Sequence, residues 1–574
     1  MIKLLKFLKD YKWQCIIAPI FKFLEACFEV VVPILMKTII DSGINFGGEP
    51  NETLIYKYIG LIILMGVLGV SVAVVSQYFS AVAGMGMGTA LRRESFSHLN
   101  KLTNKDIDKL GGSSVVTRLT SDINQVANGV NRFLRLFLRT PFILIGAVTM
   151  SFIINPIMGA IVLASIPVIF AVVWFIVKYT IPRYKDIQTR TEKVSLMFKE
   201  NLEGVRVVRA FSTQKKEVAK FDSTVENLSN RQIHVAKVAS LLHPLSYAIA
   251  NIAIVVVLWL GGNFIDNSIM TTGEVASLVN YLLQILTAIV VLTELITIMS
   301  KAQASAVRVN EFLETKPSFT DEGNTEVKVE DTDNIVEFND VTFSYNENRH
   351  VLENINLKIR RGETLGIIGE TGSGKTSLIN LIPRLYDVDN GEVLVNGVNV
   401  KKYLFDQLRK DIAIAVQHAV LFKGTIRSNL QFANPNASDD DMYKALKIAQ
   451  AYDFVMEKEG LDTEVAAKGS NFSGGQKQRL NVARAVIQNP KILMLDDSSS
   501  ALDYATDFAL RKSLKKLEGL TTIIVSQRVA SVMQADHILV LEDGKIAGYG
   551  THKQLYGNNE VYTEIYDSQT KGRG

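Results

Sequence analysis

Six stretches of this chain, near residues 14–41, 54–83, 133–154, 157–180, 244–266 and 274–299, each supply the roughly 20 apolar residues needed to cross a bilayer. No other feature restricts the fold as strongly. A lipid-exposed run of that length has to satisfy its backbone polar groups internally, as a helix does. All six lie before residue 315, and the remainder of the chain reads as a soluble α/β domain. The hydrophobic fraction of 48% over 574 residues is therefore an average over two unlike parts. A chain this long is also expected to form more than one domain.

The connections between the six stretches are very unequal. The third and fourth are joined by little more than Asn155 and Pro156, a tight hairpin. Stretches two and three, and four and five, are separated by long polar segments that must be helical extensions outside the membrane. Those segments carry Arg92, Arg93, Lys101, Lys105, Arg118, Arg183, Lys185, Arg206 and Arg209, whereas the short connections DSGINFGGEPNET and DNSIMTTG carry no lysine or arginine. The positive-inside rule places the long segments and both termini in the cytoplasm.

The first residues, MIKLLKFLKDYKWQ, have lysines at 3, 6, 9 and 12 and no small-residue cleavage site. They read as an interfacial amphipathic elbow leading into the first span rather than a signal peptide. Cys15 and Cys27 are the two cysteines, and twelve residues of one helix would hold them roughly 18 Å apart, beyond disulfide reach. A net charge of +4 is small for this length and gives no basis for nucleic-acid binding. Inside the spans, Lys22, Glu25, Glu29, Gln284 and Glu294 stand out, because intramembrane charges are costly and face a cavity or a partner. Glu25 and Glu29 share a helix face. They read either as an acidic cavity for cationic substrates or as helix pairing, for example of Lys22 with Glu25, or as residues near an interface.

After a polar linker, the run ETLGIIGETGSGKTSLINLI leads an apolar strand into GETGSGKT at 369–376 and then into a helical pattern. This is a P-loop in its strand–loop–helix setting. Gly369, Gly372, Ser373 and Gly374 let backbone amides turn around phosphates, and the helix N-terminus adds its dipole. Lys375 is expected to reach the β/γ-phosphates and Thr376, with Ser377 beside it, to hold Mg²⁺. The strand KILMLD ends on Asp496, where the carboxyl ends of parallel strands meet a ligand, and it joins the Mg²⁺ shell. ATP and Mg²⁺ are the expected cofactors.

A P-loop alone leaves kinases, GTPases and motors open. Around it, however, stand NFSGGQKQRLNVARA at 471–485, SALD at 500–503, Gln417 in AVQHAVLF and Tyr345 in VTFSY. With six spans ahead of them, these resemble an ABC exporter half-transporter of the multidrug type over essentially the whole chain. The resemblance implies a membrane α-helical domain of six transmembrane helices at 1–315, a linker at 316–333 and a C-terminal α/β P-loop ABC ATPase domain at 334–574. It also implies that Tyr345 stacks on adenine and that Gln417 contacts Mg²⁺. Ser473, Gly474 and Gly475 would contact the γ-phosphate bound by an opposite subunit, because sites in this family are composite, and Gln476 and Asp503 are also counted among the nucleotide-binding residues. Segments 113–126 and 202–211 then look like the coupling regions that dock on nucleotide domains. A soluble, non-transport member of the family is excluded by the spans.

Two positions depart from the family pattern. Most active members carry a glutamate after the Mg²⁺ aspartate, to polarise the attacking water, and here Asp497 stands there. The switch histidine expected in TTIIVSQRVAS is replaced by Gln527, which can hydrogen-bond a γ-phosphate but cannot carry or shuttle a proton as histidine does. With SGGQ complete, the chain looks like the degenerate-site subunit of a heterodimeric bacterial exporter in the plasma membrane. Its partner would be a second half-transporter that supplies the glutamate and the histidine. The expected activity is ATP hydrolysis coupled to export of small amphipathic compounds, weak at this chain's own site without the partner, with membrane lipids around it. The alternatives are a lipid or lipid-linked flippase, a homodimeric drug exporter with Asp497 as a working base, and an ATP-gated channel or sensor.

Overall fold

Local chemistry sets where the long helices begin. Asn155 accepts hydrogen bonds from the backbone amides of Ile157 (2.9 Å) and Met158 (3.2 Å), and Pro156 opens the helix Pro156–Glu203. The helix before it, Arg139–Ile154, ends on that same Asn155, so one residue joins the two. Thr271 and Glu274 make a reciprocal capping box at the start of Thr272–Glu314, and Asn51 caps Glu52–Leu99.

The computed structural model describes residues 2–44, 50–321, 324–329, 332–346 and 349–570. Parts of the first short connection (45–49) and of the expected linker (322, 323, 330 and 331) lie outside the described residues. The chain divides into two compact units, one of Met1–Asn100 with Gly112–Thr315, the other of Lys101–Gly111 with Lys316–Gly574.

In the first unit, five helical stretches among the described residues are long and apolar enough to cross a membrane: Glu52–Leu99, Gly112–Ile154, Pro156–Glu203, Gln214–Asp266 and Thr272–Glu314. The first expected span is the helix Lys12–Thr38, whose 27 residues cover about 40 Å and whose apolar run is broken by Lys22, Glu25 and Glu29. Glu52–Leu99 and Pro156–Glu203 have 48 residues each, about 72 Å. That is more than twice a hydrocarbon core of roughly 30 Å, so their polar ends must run on beyond it. The N-terminal elbow, Ile2–Tyr11, keeps its lysines outward and buries Leu4 against Met87, Leu91 and Val130.

The expected coupling segment at 113–126 needs correction. Its apolar residues Val115, Ile123 and Val126 are buried in the helical unit, and Asp122 is ion-paired there with Arg308. The piece that belongs to the second unit lies just before it. The short helix Asn104–Leu110 is held there by Asp106, which accepts from the Ser318 amide at 3.0 Å and from the Ser318 hydroxyl, and by Asp108, which accepts from Tyr386 at 2.8 Å. Its sequence, NKDIDKL, is too short and polar to show a period. At 202–211 the helix Val205–Ala210 buries no residue, and Leu202, Val207 and Phe211 are exposed.

The second unit is built on a six-stranded sheet in the order Lys545–Gly550, His537–Glu542, Thr364–Gly369, Thr521–Val525, Ile492–Asp496 and Ile412–Ala415. Its first strand is antiparallel and the other five run parallel. Both faces are covered, which explains near-continuous apolar strands in the sequence. Leu493, Leu495 and Ile524 join one core cluster, while Ile492, Met494, Ile523 and Val525 join the other. A four-stranded antiparallel sheet, led by Asn334–Phe343 and Leu352–Arg360, packs into the second cluster. Asp496 lies beside Val525, and Val525 beside Ile367, so the ends of three parallel strands stop at one edge.

Candidate nucleotide-binding site

At that edge the chain leaves Thr364–Gly369 and folds back into the helix Lys375–Leu381. The return needs left-handed backbone at Gly372 (φ +89°) and Gly374 (φ +97°). A Cβ at Gly374 would sit 2.7 Å from Leu352 and 3.0 Å from the Val351 carbonyl, so glycine is required twice over. The ammonium of Lys375 reaches back across the loop and donates to the carbonyls of Gly369 (2.8 Å) and Glu370 (2.5 Å) and to Ser373 Oγ (3.3 Å). Burial lowers its pKa, while Asp497, Asp496 and Glu370 pull the other way.

Thr376 Oγ1 donates to Asp496 Oδ1 at 2.9 Å, which brings the first helical turn onto the end of the neighbouring strand. The next residue, Asp497, has a left-handed backbone (φ +44°), a conformation in which Asp is several-fold enriched. Its amide donates to the Val525 carbonyl at 2.9 Å, and its Oδ2 is 3.5 Å from Gln417 Nε2. Burial raises the pKa of both aspartates. For Asp496 the Thr376 hydroxyl opposes the shift and Asp497 adds to it, and for Asp497 the Gln417 amide, Arg528 and Lys375 oppose it.

These side chains line a cavity of about 350 Å³ together with Tyr345 and Gln527. Tyr345 is hydrogen-bonded through its hydroxyl to Ser377 Oγ at 3.0 Å and packs edge-on against Phe343 and Tyr386. Amides, a lysine and a helix N-terminus around one hollow form a cradle for phosphates. Thr376, Gln417 and Asp496 are the groups able to hold a divalent cation. Among the described residues no cluster of three or more His, Cys, Asp or Glu suits a metal ion. Such a sparse set fits Mg²⁺, which keeps water and takes phosphate oxygens rather than an all-protein cage.

The expected residues at 473–476 and 503 are elsewhere. Ser473 caps the helix Gly474–Val486 reciprocally with Gln476, and Ser473 and Gly474 are exposed. Asp503 caps Tyr504–Leu514 by accepting from Thr506 N (2.9 Å) and Thr506 Oγ1 (2.8 Å), and those bonds hold its pKa low. Among the described residues lining the phosphate cavity, none comes from 473–476.

Models of the ABC transporter transmembrane region and of the ABC transporter match residues 15–289 and 352–500. The ABC transporter ATP-binding protein YfiB of Bacillus subtilis (strain 168) is 32% identical over 573 residues, covering 99% of this chain and 98% of the relative. The chain belongs to the ABC transporters. This transporter carries its transmembrane and ATP-binding regions on one polypeptide, a multi-pass membrane protein whose ATPase domain binds ATP. YgaD of the same bacterium, named for multidrug export, is 29% identical over 581 residues, covering 99% of each chain. A bacterial Atm1-family ABC exporter solved with ATP bound shares the fold, with a TM-score of 0.81 at 21% identity, covering 97% of the transporter and 98% of that chain.

Two residues that no sequence motif marks shape the transporter's site. Arg528 donates to the carbonyls of Ser500 (2.7 Å) and Leu502 (3.1 Å), tying the loop after Asp497 to the strand end that carries Gln527. Gln569, in the last helix Glu560–Thr570, donates to the Gln527 carbonyl at 2.7 Å and accepts from the Val529 amide at 2.9 Å. The pairing spans some forty residues of sequence, too far for any local pattern to show it. Gln569→Ala should release this clamp at about 1 kcal/mol per bond. Exchange of the Val529 amide is expected to quicken about tenfold or more with ATP affinity unchanged, and unaltered exchange would show that the clamp holds nothing.

In the helical unit Glu25 and Glu29 are not free acids. Lys22 pairs with Glu25 at 2.5 Å, and Arg139 with Glu29 at 2.8 Å and with Glu25 at 3.6 Å. Gln284 joins them by donating to the Glu29 carbonyl at 3.1 Å. Glu294 is exposed about 15 Å farther along the same helix. An acidic lure for cations is therefore not what this geometry provides.

Proposed function

We propose that the transporter is the degenerate-site half of a heterodimeric exporter of small amphipathic compounds, with its ATPase domain and both termini in the cytoplasm. One observation carries the reading. The nucleotide cavity is lined by Asp497 and Gln527 where the family's active members place glutamate and histidine, while the chain's own complete SGGQ lies outside that cavity. Aspartate is one methylene short of glutamate, about 1.5 Å. A misplacement near 1 Å can cost on the order of a hundredfold in rate. Gln527 cannot supply the missing proton chemistry.

In this reading Lys375 and the loop amides hold the phosphates of ATP, Thr376 and Asp496 hold Mg²⁺ with Gln417, and Tyr345 supports the adenine. Mg²⁺ contributes charge neutralisation of the phosphates. The site retains nucleotide more than it hydrolyses it. The exposed Ser473 and Gly474, at a helix N-terminus, face a partner's γ-phosphate. Export of amphipathic compounds is supported by the name of YgaD and by the exporter fold. The lysine- and arginine-rich long extensions support the cytoplasmic placement.

The test is ATP turnover of the purified chain alone and after co-expression with a half-transporter that has an intact glutamate and histidine. Turnover is expected to be low alone and to rise by at least tenfold in the pair. It should then collapse when Ser473 of this chain is changed to Arg, which blocks the composite site. Brisk hydrolysis by this chain alone would favour the homodimer with Asp497 as base.

A further inference from the structure

We propose that the polar cluster between the helices Lys12–Thr38 and Arg139–Ile154 is a binding site for the head group of a long-chain monoanion. The proposal names a cargo class for the export reading and rests on it only in calling the ligand cargo. Three cations, Lys22, Arg135 and Arg139, meet two carboxylates, Glu25 and Glu29. Arg135 forms no salt bridge among the described residues and feels Glu25 only at longer range, with Lys22 and Arg132 as like-charged neighbours. One positive charge is left over.

The cluster lies at membrane depth. Residues 139 to 154 span about 23 Å of helix, and a hydrocarbon core is roughly 30 Å thick. With the Asn155 hairpin at one boundary, Arg139 stays inside the other. Arg135, the cation without a pair, stands about 28 Å before Ile154 and so at that other boundary, where it calls for an anion or water to meet it. Purely structural pairing would have been cheaper with equal numbers.

The hydrogen-bonding groups are also incomplete. Thr140 is 1% exposed and its Oγ1 has no hydrogen-bond partner among the described residues, nor do Arg135 Nε and Gln284 Oε1. A guanidinium and a hydroxyl without acceptors suit a carboxylate, sulfonate or phosphate monoester oxygen set. Apolar surface stands next to it. Phe133 and Phe137 stack at 4.4 Å on the helix that carries Arg135, both partly exposed, and Phe142 packs on Phe23 at 4.3 Å. An acyl chain would lie along these rings while its head reached the cations.

The experiment compares dodecanoate with dodecyltrimethylammonium, binding to the full-length chain in phosphatidylcholine nanodiscs without nucleotide. The anion is expected to bind at least tenfold more tightly. Arg135→Gln, which strands no carboxylate, should erase the preference, and Arg135→Lys, which keeps the charge, should retain it and control for folding. Glu25→Gln should leave the preference intact or widen it. Phosphatidylglycerol added to the disc would compete if the natural anion is a lipid, and would not if it is a free amphiphile; the anion site stands in both cases. Equal binding of the two probes, a preference for the cation, or an unchanged preference in Arg135→Gln overturns the proposal. Because no ATP is involved, that failure would leave the heterodimer reading intact. Low turnover in the partnered complex would not touch the binding result.

Discussion

Asp497→Glu combined with Gln527→His is expected to raise the ATP turnover of the purified transporter by about a hundredfold, the penalty ascribed to a base held roughly 1 Å too far from its water. The framework for such a gain is in place. Asp496, Thr376 and Lys375 are positioned by hydrogen bonds of 2.5–2.9 Å to one another or to the loop. Asp497 follows a fully buried strand, and its side chain meets Gln417 at 3.5 Å. The gain has a small cost. Glutamate tolerates the left-handed backbone at this position (φ +44°) less well than aspartate, so thermal stability should fall by about 1 kcal/mol. Phosphate release under saturating ATP measures the first effect and calorimetry the second. If the double variant turns over no faster than the wild type, those two residues do not limit hydrolysis.

Lys375→Ala is expected to weaken ATP binding by one to two orders of magnitude. The ammonium is buried within the loop and ringed by the Gly369 and Glu370 carbonyls, with three carboxylates in range. Losing charge-assisted bonds to phosphate costs about 1.5–3 kcal/mol each. The two neighbouring aspartates would also lose their nearest cation, which adds repulsion against the incoming phosphates. Equilibrium titration with a fluorescent ATP analogue reads this directly. A change in Kd below threefold would mean that the backbone amides alone hold the nucleotide, and the P-loop reading of Lys375 would fail.

Most of the nucleotide site was legible in the sequence, for a physical reason. Phosphate binding requires small residues, a lysine and a hydroxyl in one contiguous turn, so GETGSGKT carries its geometry with it. Asp496 was legible because an apolar strand that stops on a carboxylate places it at the sheet edge. The hairpin at Asn155 and the long helical extensions were legible for the same kind of reason, since capping and length are local properties. That Asn104–Leu110, rather than 113–126, belongs to the second unit was not legible, because it depends on Asp106 finding Ser318, more than 200 residues away. Gln569 and Arg528 were invisible because their targets are backbone carbonyls and amides, which leave no signature in side-chain identity.

By itself, then, the sequence determined that this chain has apolar helices long enough to span a bilayer, an ATP-binding α/β domain, and an aspartate and a glutamine where the family pattern has a glutamate and a histidine. These follow from periodicity, composition and contiguous motifs. Only the tertiary structure decided what the intramembrane charges do. Glu25 and Glu29 read as a cation lure or as pairing partners, and Arg139, 110 residues beyond Glu29, contacts both of them. The sign of a buried charge cluster depends on which helices pack together, and that packing is settled by side chains that are remote in sequence.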